Sequence, residues 1–184
     1  MGAILVHEFI TADGVIDDPA WSVDYEFTDA MNDALTGITE RCRAILLGRT
    51  TYQHFEEPWS QRTDADDPHS SFFNDTPKYV VTGTLDSLTW RNSTILGPYD
   101  PDAIRRLKDQ VDGDIFTSAS GTLVRAMLAD GLVDELNLFL YPLTRGQGPR
   151  LFPADAPPRK MRLESHRAFE HGVLHLTYRP LSRP

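Results

Sequence analysis

A chain of 184 residues with 40% hydrophobic and 24% charged residues has the size and make-up of one soluble globular domain, able to bury roughly 70% of its unfolded surface around a single core. A formal net charge of -9 argues against nucleic acid or an anionic membrane surface as a partner, while leaving room for a local basic pocket that takes an anionic cofactor. The lone cysteine, Cys42, permits no intrachain disulfide, no apolar run approaches the ~20 residues of a membrane helix, and Met1-Gly2-Ala3 leads into strand-like sequence without a basic leader, so a cytoplasmic domain spanning 1–184 is expected.

In chain order, Ala3 to Ile10 reads as a strand with Ile4, Leu5, Val6 and Phe9 as its apolar content, closed by the turn signal Thr11-Ala12-Asp13-Gly14. Phe27, Met31, Leu35 and Ile38 recur at helical spacing, with Glu26 at the start of that helix and Trp21 just ahead. Arg43 to Leu47 is a short apolar run of the kind buried on both faces of a sheet; it stops at Gly48, and Thr50-Thr51 offer hydroxyl caps to a helix through Tyr52 and Phe55. Glu56 to Ser71 loses all periodicity and reads as an irregular acidic loop. Pro77 to Thr82 and Thr94 to Leu96 read as strands, and Asp100-Pro101 caps a helix containing Ile104 and Leu107. Asp114 to Ser118 is a strand, and Ser120-Gly121-Thr122 opens a helix through Leu123, Met127 and Leu128 that Gly131 ends. Val133 to Tyr141 follows, then the turn-rich stretch around Gly146, Gly148 and Pro149, and last an antiparallel pair, Met161 to His166 and Val173 to Arg179, joined through Gly172. Strands alternating with helices, then strands without them, predict a mostly parallel α/β sheet with an antiparallel edge.

Three post-strand loops carry the chemistry: Asp13-Gly14, Gly48-Arg49-Thr50-Thr51 and Ser118 to Thr122. Ligands in open α/β sheets bind at strand carboxyl ends, so the loops can converge on one crevice. Two readings of the second loop stay open. It is either a plain strand, turn and capped helix, or a phosphate site in which helix N–H groups, the helix dipole and the Arg49 fork face an anion. Asp13 likewise reads either as a site carboxylate or as a turn former that bonds its own backbone. His171 and His175 flank one strand about 13 Å apart, too far to share a zinc ion, so no metal site is expected. Neither a G-x-S-x-G elbow nor the full G-x-G-x-x-G fingerprint is present.

Four segments in register carry a resemblance: Thr11-Ala12-Asp13-Gly14, Leu47-Gly48-Arg49-Thr50-Thr51-Tyr52, Lys78-Tyr79-Val80-Val81-Thr82, and Gly131-Leu132-Val133-Asp134-Glu135-Leu136 with Pro142, Gly146, Gly148, Leu151 and Phe152. They resemble the dihydrofolate reductase-like superfamily, and within it the branch related to the C-terminal reductase domain of the bifunctional riboflavin-pathway deaminase–reductase. The resemblance implies a three-layer α/β/α sandwich, mostly parallel with an antiparallel C-terminal edge, a homodimer, and NADPH as cofactor, with NADH as the alternative. It places Gly48, Arg49 and Thr51 on cofactor phosphates, Thr82 by the adenosine ribose, and Ser120, Gly121, Thr122 and Leu123 along the cofactor. Asp13 then faces substrate as the catalytic carboxylate, with Trp21 and Glu26 on the substrate side.

Two departures bear on function. Ser118-Ala119-Ser120 stands where the riboflavin-pathway enzymes carry an E-G-G-like run whose acid faces substrate, and Gly83 stands where an Arg often helps grip a 2′-phosphate. With the first strand opening at the third residue, no deaminase half is expected. The implied activity is NADPH-dependent reduction of a small heterocyclic or carbonyl substrate, nearest to that of 5-amino-6-(5-phosphoribosylamino)uracil reductase. The alternatives are a non-catalytic nucleotide- or pterin-binding protein on the same scaffold and a dihydrofolate reductase-type activity.

Overall fold

The computed structural model describes residues 2–16 and 19–181. Eight strands form one sheet, β1 (Ile4–Thr11), β2 (Cys42–Gly48), β3 (Lys78–Val81), β4 (Ser93–Gly97), β5 (Asp114–Ser118), β6 (Glu135–Tyr141), β7 (Met161–Ala168) and β8 (Leu174–Pro180). Their spatial order is β4-β3-β2-β5-β1-β6-β8-β7. The six strands β1 to β6 pair in parallel, and β8 joins β6 and β7 antiparallel. This is the dihydrofolate reductase-like sandwich with its antiparallel C-terminal edge.

The parallel strands need both faces covered, and their side chains divide accordingly. One face carries Leu5, Ile45, Leu47, Phe116 and Phe139 against α1 (Asp29–Thr39), α2 (Arg49–Ser60) and α3 (Ser70–Asp75). The other carries Ile4, Val6, Leu46, Ile115 and Leu136 against α4 (Pro101–Gln110) and α5 (Gly121–Ala129). Ile4, Leu5, Leu46, Leu47 and Phe116 are fully buried, each contributing about 1.5–3 kcal/mol by area removed from water.

Four local expectations need correction. α1 begins at Asp29 behind a Thr28 cap whose side chain accepts from the Met31 amide, so Phe27 and Glu26 precede the helix. The N-cap of α2 is Gly48, with no side-chain cap, and Thr50 and Thr51 lie inside the helix. That helix runs on past Pro58 to Ser60, into the stretch expected as an irregular loop, and a further helix, α3, opens at the end of that stretch and runs to Asp75. The sixth strand starts at Glu135, because the Asp134 carboxylate is drawn to the Ile4 amide (2.7 Å) and Lys108 Nζ (2.5 Å) at the corner before it. Cys42 lies buried at the start of β2, its thiol pushed by burial up to about 12.

Candidate functional site

β2 and β5 are neighbours, yet the helices that follow them cover opposite faces of the sheet. Such a reversal opens a crevice at the strand carboxyl ends. Here both helix starts are fastened across it. Ser120 Oγ accepts from the Gly48 amide at 3.0 Å, and the Ser120 amide donates to Thr51 Oγ1 at 2.9 Å. Thr51 therefore caps not its own helix but the chain entering α5. To reach this position Ala119 and Ser120 both take left-handed backbone, φ 49° and 58°, at about 1–2 kcal/mol each for non-glycine residues. The two Ser120 bonds offset part of that strain.

Gly121 begins α5 without a side-chain cap, and the first helical bond is Val124 N–H to the Ser120 carbonyl. The amides of Gly121, Thr122 and Leu123 precede that bond, as those of Arg49, Thr50 and Thr51 begin α2; helix starts of this kind favour an anion. Arg49 is exposed, holding only Gln53 Oε1 at 3.2 Å, so its fork remains available at the mouth. Gly121 is fitted to close approach, since a Cβ there would stand 2.4 Å from Ile16 Cδ1 and 3.2 Å from Arg125 Nη1. Ile16 thereby brings the loop after β1 to the same place, and all three loops do converge. Leu123 is buried with its side chain in the core, which leaves only its backbone for a ligand. Thr122 is exposed and its hydroxyl accepts from Arg125 Nη2 at 3.2 Å.

The remaining expected site residues are placed less simply. Asp13 accepts from Thr11 Oγ1 (2.6 Å) and from the amides of Arg145 (3.2 Å) and Gly146 (2.8 Å), and pairs with Arg150 Nη2 at 3.3 Å. These bonds, Thr11 foremost, hold its carboxyl down at about 2. It pins the loop after β1 to the loop after β6. Thr82 is buried and its hydroxyl accepts from the Thr84 and Leu85 amides, closing its own turn. Trp21, in a 3₁₀ turn (Pro19–Asp24), packs edge-on against Tyr141 with centroids 5.2 Å apart. Glu26 is exposed, its carboxylate 3.9 Å from His171.

Sequence reasoning missed the polar residues inside β1. His7 and Glu8 are consecutive, buried, and point to opposite faces. His7 Nδ1 is 3.1 Å from Ser118 Oγ, and its Nε2 has no partner among the described residues. Burial, with His175 and His69 nearby, lowers its pKa to about 3, so it is neutral. Glu8 Oε1 is also unpartnered, and burial raises its pKa to about 8 against a smaller pull from Arg125. Arg125 itself turns to the Arg150 carbonyl at 3.0 Å and to Thr122. Two adjacent titratable residues in the otherwise apolar run Ile4 to Ile10 were the available signal. At the opposite end of the sheet a cleft of about 480 Å³ lies between α1 and α3, lined by Thr39, Cys42, Arg43, His69 and Phe72. It is remote from both uncapped helix starts.

Comparison with known sequences settles the family. The sequence profile of the RibD C-terminal domain matches residues 3–175. The chain belongs to that family. In sequence, the uncharacterized protein YyaP of Bacillus subtilis (strain 168) is 24% identical over 95% of this chain and 93% of its own. In structure, a putative riboflavin biosynthesis protein from Shewanella sp. PV-4 superposes with a TM-score of 0.78 at 18% identity, covering 98% of this chain and 99% of the other. Dihydrofolate reductase from Enterococcus faecalis, solved with NADP(H), superposes at 0.62 with 14% identity over 98% of each chain. The family is one of reductase domains on the dihydrofolate reductase fold. Among the described residues no helix is long and apolar enough to cross a membrane, and no group of three or more His, Cys, Asp or Glu is placed to hold a metal.

Proposed function

We propose that this chain is a cytoplasmic NADPH-dependent reductase of a small heterocyclic or carbonyl substrate, the nearest known chemistry being the reduction of 5-amino-6-(5-phosphoribosylamino)uracil. One observation carries the reading: Ser120 binds Gly48 and Thr51 and so holds two uncapped helix starts side by side, with Arg49 at their mouth. This arrangement fits a ligand bearing more than one phosphate. The amides opening α2 and α5 would hold the pyrophosphate, Arg49 the 2′-phosphate, and Gly121 the closest approach of backbone. When bound, the reduced nicotinamide supplies hydride; the chain itself binds, orients and excludes water. NADPH is preferred because Arg49 is exposed and gives only one of its nitrogens to Gln53 among the described residues, whereas Gly83, with space for a Cβ no nearer than 3.4 Å to Pro98, adds no charge. NADH is the weaker alternative.

Titration of the purified protein with both cofactors tests this. Arg49→Ala should weaken NADPH roughly 10- to 100-fold, the worth of one charge-assisted phosphate contact, and leave NADH nearly unchanged. Failure to bind NADPH at millimolar concentration overturns the reading. A second reading has its own support in Ser118, whose hydroxyl is engaged by neutral His7 where an acid would face substrate. A binding protein of that kind would be stabilised by nucleotides or pterins yet oxidise no cofactor with pyrimidines, pterins or quinones.

The same reading includes a homodimer. β7 is an edge strand, Leu163 on it is 47% exposed, and Leu174, Leu176 and Tyr178 on β8 are only half-buried on the same face. Light scattering should give twice the chain mass for the native protein and the single mass for Leu163→Arg.

A further inference from the structure

We infer that the carboxyl ends of β1 and β6 form a cation-accepting aromatic site, and that the substrate is a planar N-heteroaromatic cation carrying no phosphate. This rests on the reductase reading above. With the cofactor held at the ends of β2 and β5, the next strand ends in the sheet, those of β1 and β6, are left for substrate. Thr11 and Tyr141 are register partners there. Around Tyr141 stand Phe9 (5.3 Å between centroids), Trp21 (5.2 Å) and Tyr25 (5.3 Å), all close to edge-on, and Phe27 lies 6.0 Å from Phe9. Tyr141 is buried, whereas Phe9, Trp21 and Tyr25 are half-buried and Phe27 is exposed. The outer rings thus present surface to a planar ligand. Aromatic faces carry negative potential, and clusters of them select cations.

Charge around the cluster agrees. From Trp21 to Asp29, the stretch that supplies Trp21, Tyr25 and Phe27, the sequence holds three carboxylates, Asp24, Glu26 and Asp29, and not one Lys, Arg or His. Asp24 and Glu26 are exposed within two residues of Tyr25 and Phe27, and Asp29 opens α1. The bases opposite are His171, beside Glu26, and Arg145 and Arg150 of the loop after β6, of which Arg150 is paired with Asp13. A phosphate would enter against this acidic lip; a cation is drawn to it.

The chemistry of such a ring also suits the groups present. Hydride from the reduced nicotinamide adds to the C=N⁺ carbon and makes the new C–H bond. The C=N π pair moves to nitrogen and cancels its positive charge, while the nicotinamide is oxidised to its pyridinium form. No proton is consumed. Asp13, held at about 2, and His7, held at about 3, are both unprotonated near neutral pH, so neither is needed as an acid.

Calorimetric titration of the full chain, without cofactor at pH 8, with 1-methylquinolinium, quinoline and uridine 5′-monophosphate tests the inference. The cation should bind about tenfold more tightly than its uncharged counterpart. The exposed double variant Asp24→Asn, Glu26→Gln should lose most of that preference while its NADPH titration stays as in the native protein. Adding the cation to protein and NADPH should consume the reduced cofactor. Equal binding of quinoline and the cation would overturn the proposal, as would tighter binding of the nucleotide that disappears in Arg145→Ala. A cation preference without any NADPH binding would sink the reductase reading and leave the cation site standing.

Discussion

Unfolding free energy, followed by urea titration, should fall as pH rises from about 6.5 to 8 and fall again on the acid side, and Glu8→Gln should abolish the alkaline fall. The cause is the pair of opposed buried groups in β1. Glu8 is raised by burial from 4.5 to about 8. Between these values the folded chain keeps a proton that the unfolded chain has released, so its contribution is complete below pH 4.5 and is lost as pH rises toward 8. His7 is lowered by burial from 6.5 to about 3. There the unfolded chain takes up a proton that the folded chain refuses, so stability is lost as pH falls from 6.5 toward 3. Between 4.5 and 6.5 these two slopes cancel, which leaves the fall that His69 and His175, also lowered by burial, add as pH drops below 6.5.

At about 1.4 kcal/mol per pH unit, each uncompensated limb is worth about 2 kcal/mol, one from pH 6.5 to 8 and the other from pH 4.5 to 3. Removing the Glu8 proton equilibrium exposes the whole His7 slope, about 4–5 kcal/mol between pH 3 and 6.5, with a plateau above. Lys78, lowered by burial from 10.5 to about 8, adds stability only as pH rises from 8 to 10.5 and does not disturb this window. The difference between native and variant curves isolates Glu8 from the surface carboxylates. Parallel curves would show that Glu8 is ionised in the folded protein at neutral pH.

That pair also shows where the sequence was legible and where it was not. The apolar runs of β1, β2 and β5 announced a sheet buried on both faces, and Gly48 and Ser120-Gly121 announced the two helix starts, because strand burial and turn chemistry are local. His7 and Glu8 were readable only as interruptions, since what makes them neutral is the packing of two separate layers, one over each face. Thr51 was misread as a cap for the same reason: its hydroxyl serves the Ser120 amide, 69 residues away in the chain. Asp13 was visible as a turn residue, but the Arg145, Gly146 and Arg150 contacts that make it a clasp between two loops come from the far side of the fold. The aromatic cluster was hidden differently. Phe9 belongs to a strand pattern and Phe27 to a helical one, and only the parallel pairing of β1 with β6 brings Tyr141 between them.

The missed helix α3 is tied at its end by the Lys78 side chain, and Lys78→Met should lower the melting temperature by roughly 6–12 °C. Lys78 is fully buried at the start of β3. Its Nζ donates to the carbonyls of Phe73 (2.8 Å), Asn74 (3.2 Å) and Thr76 (3.0 Å), and lies 4.7 Å from the centroid of the Trp90 ring. Three ammonium donors therefore meet three carbonyls at the end of a six-residue helix, the end where a cation is favoured and the carbonyls have no helical partners. The helix is too short to persist by propensity alone, and its six residues are too few to show a helical period, because bonds from the strand that follows hold it rather than an apolar stripe. Burial pulls the lysine down to about 8, so the charge is held at neutral pH only because the carbonyls replace its water. Methionine keeps the volume and the apolar stem but leaves the Phe73 and Thr76 carbonyls without their donor, while Asn92 Nδ2 still reaches the Asn74 carbonyl at 3.2 Å, a loss of about 3 kcal/mol. In a domain of this size, each kcal/mol corresponds to about 2–4 °C. Asn74, which donates to the Trp59 and Arg62 carbonyls and accepts from Trp90 Nε1 at 2.7 Å, remains to hold the segment, so the variant should stay folded with its cofactor affinity intact. An unchanged melting temperature would mean that dehydrating the ammonium cancels its three bonds, and that the lysine of this strand motif stabilises nothing.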